Sequence, residues 1–136
     1  MVKKILIVDD DQDVIVFLTT VLEDEGYQVI HALNGRIGLE MATAEAPDLI
    51  LLDLMMPQKS GISLLGDLKK DAQLRKIPVI MVTGVSGETG IDLESFFAKS
   101  GKKGKEAVAL RPEGYIEKPV DPEKLIALIK EFSNQL

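Results

Sequence analysis

Five short apolar runs alternate along the chain with amphipathic stretches, and apart from Gln28 and His31 in the second the runs carry almost no polar interruption. They are Ile5-Leu6-Ile7-Val8, Tyr27 to Ala32, Leu49-Ile50-Leu51-Leu52, Ile77 to Val82, and Gly114-Tyr115-Ile116, the shortest and least apolar. Uninterrupted runs of this length suit strands buried on both faces, and their alternation with helical spacing predicts βα units around a parallel sheet. Pro78 is tolerable only near the start of its strand, because it brings no N–H to the ladder.

The stretches between the runs read as helices with definable ends. After the first run, Asp11 is placed as a cap, Val14, Phe17, Leu18, Val21 and Leu22 recur at helical spacing, and Gly26 is placed to end the helix. Asn34 caps a second helix running to about Glu45, with Ile37, Met41 and Ala44 on its inner face. Pro47-Asp48 punctuates the approach to the third strand. Ser60 caps a third helix carrying Ile62, Leu65 and Leu68, weakened by Gly66. Asp121-Pro122-Glu123 combines a cap, a first-turn proline and an acid at the positive end of the dipole. Leu125, Leu128, Ile129 and Phe132 line the buried side of the helix it opens. The expected fold class is α/β with a doubly wound parallel sheet.

The segment from about 84 to 112 breaks the pattern. It holds Gly84, Gly87, Gly90, Gly101 and Gly104 with a basic cluster of Lys99, Lys102, Lys103 and Lys105. Ile91, Leu93, Phe96, Phe97 and Ala98 suggest a helix inside it, ending near Gly101. Long glycine-punctuated connections in small domains are usually functional or mobile. With no internal repeat, linker or output domain expected within 1–136, the whole chain reads as one domain.

Composition narrows the function classes. At 136 residues, 46% hydrophobic and 28% charged, the chain suits one ordinary globule. A formal charge of −6 removes the basic footprint that general nucleic-acid binding requires. Cysteine is absent, which excludes disulfides and thiolate metal sites. The run Ile5 to Val8 is too short for a signal-peptide core, and no stretch approaches a membrane span, so a cytoplasmic location and no membrane insertion are expected.

The candidate chemistry gathers at the ends of the runs. Asp9-Asp10, Asp53, Thr83 and Lys118-Pro119 each fall just past an apolar run, at the sheet edge where open α/β sheets bind ligands. An aspartate pair alone equally serves as a helix cap. Three carboxylates brought together, however, repel one another and call for a cation, and an all-oxygen donor set suits magnesium or manganese rather than zinc or copper. A carboxylate beside such an ion can attack phosphorus and become an acyl phosphate. Lys118 would supply neutralising charge, and Thr83 a hydroxyl donor to a phosphoryl oxygen.

Four pieces in order resemble the response-regulator receiver domain of two-component signalling over nearly the full length. They are Ile-Leu-Ile-Val-Asp-Asp at 5–10, Asp-Leu-Met-Met-Pro at 53–57 with Gly61, Met-Val-Thr-Gly at 81–84, and Tyr-Ile-Glu-Lys-Pro at 115–119. The resemblance implies five strands in the flavodoxin-like order 2-1-3-4-5, with an enlarged region between strands 4 and 5. It implies Asp53 as phosphoacceptor, and magnesium held by Asp10, Asp53 and the Met55 carbonyl, with Asp9 acting through water. Lys118 would pair with the phosphoryl group, Thr83 and Tyr115 would switch together, Gly84 would leave room for phosphoryl oxygens, and Lys118-Pro119 would be cis. The implied donor is a sensor histidine kinase or phosphotransfer protein, with an unnamed downstream protein target and a monomer or weak dimer. No small-molecule turnover is implied beyond the domain's own phosphorylation and dephosphorylation.

Two departures stand out. Thr83 to Lys118 spans 35 positions, roughly a dozen more than the family usually allows, so the switching region carries an insertion. Met55 and Val85 are apolar where the family is often polar, an arrangement expected to limit attacking water and lengthen the phosphorylated lifetime. A phosphorylation-independent interaction module of the same fold and a flavodoxin-like cofactor protein are the competing readings. His31, the only histidine, is expected to be structural or exposed.

Overall fold

The computed structural model describes residues 2–53, 61–83 and 112–135. Five parallel strands form one sheet: β1 (Lys4–Val8), β2 (Gln28–Ala32), β3 (Leu49–Asp53), β4 (Val79–Thr83) and β5 (Gly114–Glu117), in the order β2-β1-β3-β4-β5. Helices α1 (Gln12–Asp24), α2 (Gly35–Glu45), α3 (Gly61–Lys70) and α4 (Pro122–Gln135) and a 3-10 turn (Leu74–Lys76) connect or follow them. The capping of Ser60, the helix suggested around Ile91 to Ala98, the lysine cluster, Gly84, Val85 and Met55 lie outside the described residues.

Alternate residues of the central strands feed two separate cores, because successive side chains of a strand point to opposite faces. Leu6, Val8, Ile50, Leu52, Val79 and Met81 pack with Ala42, Leu64, Leu65 and Leu68 of α2 and α3. Ile5, Ile7, Leu49, Leu51, Ile80 and Val82 pack with Ile15, Leu18 and Leu22 of α1 and with Leu125 and Ile129 of α4. Strands covered on both faces need no polar alternation, which accounts for the uninterrupted apolar runs.

The helix ends follow local chemistry. Asp11 accepts from the Asp13 amide at 2.9 Å, Asn34 from the Ile37 amide at 2.9 Å, and Asp121 from the Glu123 amide at 2.9 Å. Gly26 closes α1 with φ +92°, a conformation open to glycine without strain.

Two inner-face expectations are corrected. Phe17 is exposed, and Ile15 turns inward with Leu18 and Leu22. The segment Val14-Ile15-Val16-Phe17-Leu18 is apolar on every side, so spacing alone does not set its rotation. In α2, Ala44 is exposed, and Ala42 is buried beside Gly35 and Gly38. Strand limits also shift: β2 starts at Gln28 rather than Tyr27, β4 starts at Val79 because Ile77 closes the 3-10 turn and Pro78 lacks an N–H, and β4 runs on to Thr83.

Gly38 sets how closely α2 approaches β1. A Cβ there would lie 3.0 Å from one Val8 methyl, 3.1 Å from the other and 3.2 Å from a Leu64 methyl. Alanine adds roughly 1 kcal/mol of helix propensity, but overpacking in a filled core costs roughly 1–3 kcal/mol. Gly38→Ala is therefore expected to lower the urea midpoint. An unchanged or higher midpoint would mean that Val8 and Leu64 yield freely.

Candidate functional site

The C-terminal ends of β1, β3, β4 and β5 converge on one edge of the sheet. Asp9 follows β1, Asp53 ends β3, Thr83 ends β4 and Lys118 follows β5. Register does the placing: Asp53 pairs with Val82 and Thr83 with Glu117, and the Lys118 amide donates to the Thr83 carbonyl at 2.6 Å. The Asp9 amide donates to the Ala32 carbonyl at 3.1 Å, tying the start of the loop to β2. The Lys118-Pro119 peptide is cis.

Carboxylate oxygens of Asp9, Asp10 and Asp53 lie within 4.8 Å of one another. Asp9 and Asp53 are buried, and Asp10 is exposed. The Lys118 ammonium is 3.5 Å from Asp9 Oδ2 and 3.6 Å from Asp53 Oδ1, so one cation is divided between two acids. Asp9 Oδ1 accepts from the Asp11 amide at 2.9 Å, whereas its buried Oδ2 accepts no hydrogen bond among the described residues. At 3.5 Å the Lys118 contact with Oδ2 is ionic rather than a formed hydrogen bond.

Burial pushes the Asp9 carboxyl above its ordinary value of 3.8, and the charge of Asp10 adds to the effect. The Asp11 amide and Lys118 oppose it without cancelling it. Gathering three carboxylates in a sheltered place, with Lys118 shared between two of them, concentrates negative charge there. A hard dication fits that cluster: the donors are all oxygen, and the buried Oδ2 of Asp9 has capacity to spare.

The stability consequence has a definite sign. The folded protein holds the Asp9 proton more tightly than the unfolded chain, so the associated stability is lost as pH rises from 3.8 through the raised value. At neutral pH, magnesium at a hundred times its dissociation constant is expected to add about 2.7 kcal/mol and raise the melting temperature by several degrees. At pH 3.8 or below that gain should disappear, and Asp9→Asn should stabilise the metal-free protein while shrinking the magnesium response. A melting temperature indifferent to magnesium at pH 7 would remove the dication from the site.

The remaining candidates are placed as follows. Thr83 is buried at the end of β4, beside β5. Tyr115, opposite Met81, is partly exposed and lines a groove of about 570 Å³ with Glu117, Lys118, Lys124 and Leu128, which does not include Asp9, Asp10 or Asp53. Asp11 serves as the cap of α1 and is not part of the carboxylate cluster. His31 lies within β2 and is exposed. A pairing that sequence reading missed joins Lys69 of α3 to Glu113, 44 positions apart, with no local pattern to announce it. Among the described residues, no helix is long and apolar enough to cross a membrane.

Comparison with known proteins agrees with this architecture. The family model described as the response regulator receiver domain matches residues 5–130. Protein PilH of Pseudomonas aeruginosa is 37% identical over 126 residues, covering 93% of each chain. The polar-differentiation response regulator DivK of Brucella anthropi is 33% identical over 135 residues, covering 97% of each. Among solved structures, the Vibrio cholerae chemotaxis protein CheY4 superposes with a TM-score of 0.78 at 26% identity, over 97% of this chain and 99% of that one.

Proposed function

The chain belongs to the response regulator receiver domain family of two-component signalling, and on that premise we propose that it is a switch operated by phosphorylation of Asp53. The observation that carries this reading is the meeting of Asp9, Asp10 and Asp53 within 4.8 Å, with Lys118 3.6 Å from Asp53. One Asp53 oxygen attacks the phosphorus of a phosphohistidine on a sensor kinase or phosphotransfer protein. The new P–O bond forms as the P–N bond breaks, and the departing imidazole keeps the electron pair and takes up a proton. Lys118 neutralises charge on the transferred group, and Thr83 donates its hydroxyl to a phosphoryl oxygen.

Asp10, Asp53 and the carbonyl of Met55, which lies outside the described residues, would hold magnesium, with Asp9 helping to hold it through water. When bound, the ion offsets phosphoryl charge and lets the carboxylates remain ionised. Thr83 and Tyr115 bias two packings of the domain, and the output is protein contact rather than turnover of a small molecule. The switch is a single domain spanning 1–136, works in the cytoplasm and binds no nucleic acid directly. Relatives named for polar differentiation and for chemotaxis share its scaffold, so the downstream target is set by surface rather than by fold.

Intact-mass measurement of the full chain with acetyl phosphate, with and without magnesium, tests the reading. Acetate replaces imidazole as leaving group, and the expected result is a magnesium-dependent gain of one phosphoryl group. Folded protein that gains no mass from acetyl phosphate or from a panel of phosphorylated kinases would be a phosphorylation-independent interaction module.

A further inference from the structure

Of the five strands, β5 has the weakest grounds for holding its register. It is four residues long, sits at the sheet edge, and buries only Ile116 well. It also returns to the sheet 31 positions after β4 ends at Thr83. Strands with a single buried apolar residue specify pairing poorly. Lys118, however, reaches Asp9 and Asp53 only through that pairing: a two-residue slip would carry it about 6.6 Å along the sheet. A one-residue slip would turn Ile116 to the opposite face.

A polar knot stands where β5 begins. The Glu113 amide donates to the Val79 carbonyl at 2.9 Å, and Glu113 Oε1 accepts from the Val79 amide at 3.3 Å. One residue thus grips both backbone groups of the first residue of β4. The carboxylate is held in turn by Lys69 of α3, which contacts Oε1, donates to Oε2 at 2.7 Å and reaches the Arg75 carbonyl at 3.4 Å. The Lys69 side chain is only 6% exposed, so its charge has left water for this partner. Gly114 brings no side chain to this packing, although a Cβ there would fit against the Phe132 ring at 3.5 Å.

We infer that Lys69 and Glu113 are positioning residues for phosphoryl transfer: they pin the register of β5 on β4 and thereby hold Lys118 at the carboxylate cluster. The inference rests on the proposed phosphorylation of Asp53. Neither residue touches the reacting atoms.

Two measurements on the full chain test it. In the first, phosphorylation is followed by mass across acetyl phosphate concentrations. Lys69→Met and Glu113→Ala are expected to slow the step at saturating donor roughly tenfold to a hundredfold, the scale of an ångström-sized misplacement, with half-saturation unchanged. Glu113→Gln keeps an acceptor for Val79 and Lys69 and should recover most of the rate, which a general loss of stability would not predict. In the second, amide exchange by NMR, the Lys118 amide bonded to Thr83 should exchange about tenfold faster in Lys69→Met and Glu113→Ala, with β1 and β3 amides unaffected. Wild-type rates and wild-type Lys118 protection in both variants would overturn the inference. If wild-type protein gains no phosphoryl group, the proposed function falls and with it the role in transfer, while the exchange data still decide the register pin.

Discussion

Asp53→Ala is expected to abolish the magnesium-dependent mass gain outright. The argument is one of placement as much as chemistry. Asp53 ends the central strand β3, is buried, shares the carboxylate cluster with Asp9 and Asp10, and has the Lys118 ammonium 3.6 Å away. Asp10 is exposed, and Asp9, although 3.5 Å from the lysine, has one oxygen on the Asp11 amide and a carboxyl that burial pushes towards its protonated, less nucleophilic form. Asp53→Ala should also raise the stability of the metal-free protein, because one of three mutually repelling carboxylates is gone. Phosphorylation that persists in Asp53→Ala, mapped by fragmentation to Asp9 or Asp10, would reassign the acceptor.

Lys118→Met should slow transfer about a hundredfold to a thousandfold without preventing it, the range seen when one preorganised charge-stabilising donor is removed. Methionine preserves much of the side chain's length and apolar stem, so β5 keeps its packing. The same change strips Asp9 and Asp53 of their shared cation. The variant is therefore expected to bind magnesium more tightly in the unphosphorylated state while transferring slowly. A parallel loss of metal binding and rate would point to a collapsed site instead. Rates come from the acetyl phosphate mass assay, and affinity from the magnesium dependence of the melting temperature.

Much of this arrangement can be read along the chain because its causes are local. Strands β1, β3 and β4 are apolar throughout since both of their faces are covered, and a run such as Leu49 to Leu52 has few other uses. Asp11, Asn34 and Asp121 mark helix starts through bonds to amides two or three residues on. Asp9, Asp53 and Lys118 stand at strand ends, which a parallel sheet gathers at one edge. What stayed hidden depended on distance or on surplus apolarity. Spacing does not fix the rotation of α1 because Val14 to Leu18 offers no polar reference, and Ala44 faces outward against its spacing because alanine marks a helix face weakly. The Lys69–Glu113 pairing joins residues 44 positions apart, and nothing in either neighbourhood demands the other.

The division of the sheet into two cores has a consequence for the carboxylate beside it. Val8 belongs to the layer of α2 and α3, and Ile7 to the layer of α1 and α4. Asp9 comes next in the chain, at the end of a strand whose residues alternate between the two layers, so its position is a sum of two inputs. Substitutions far apart on opposite layers should combine additively in stability, since they share no partners. Their effects on Asp9 need not: both arrive through one short segment of backbone, where displacements can reinforce or cancel. Variation in either helical layer can therefore retune this site without altering a residue in it.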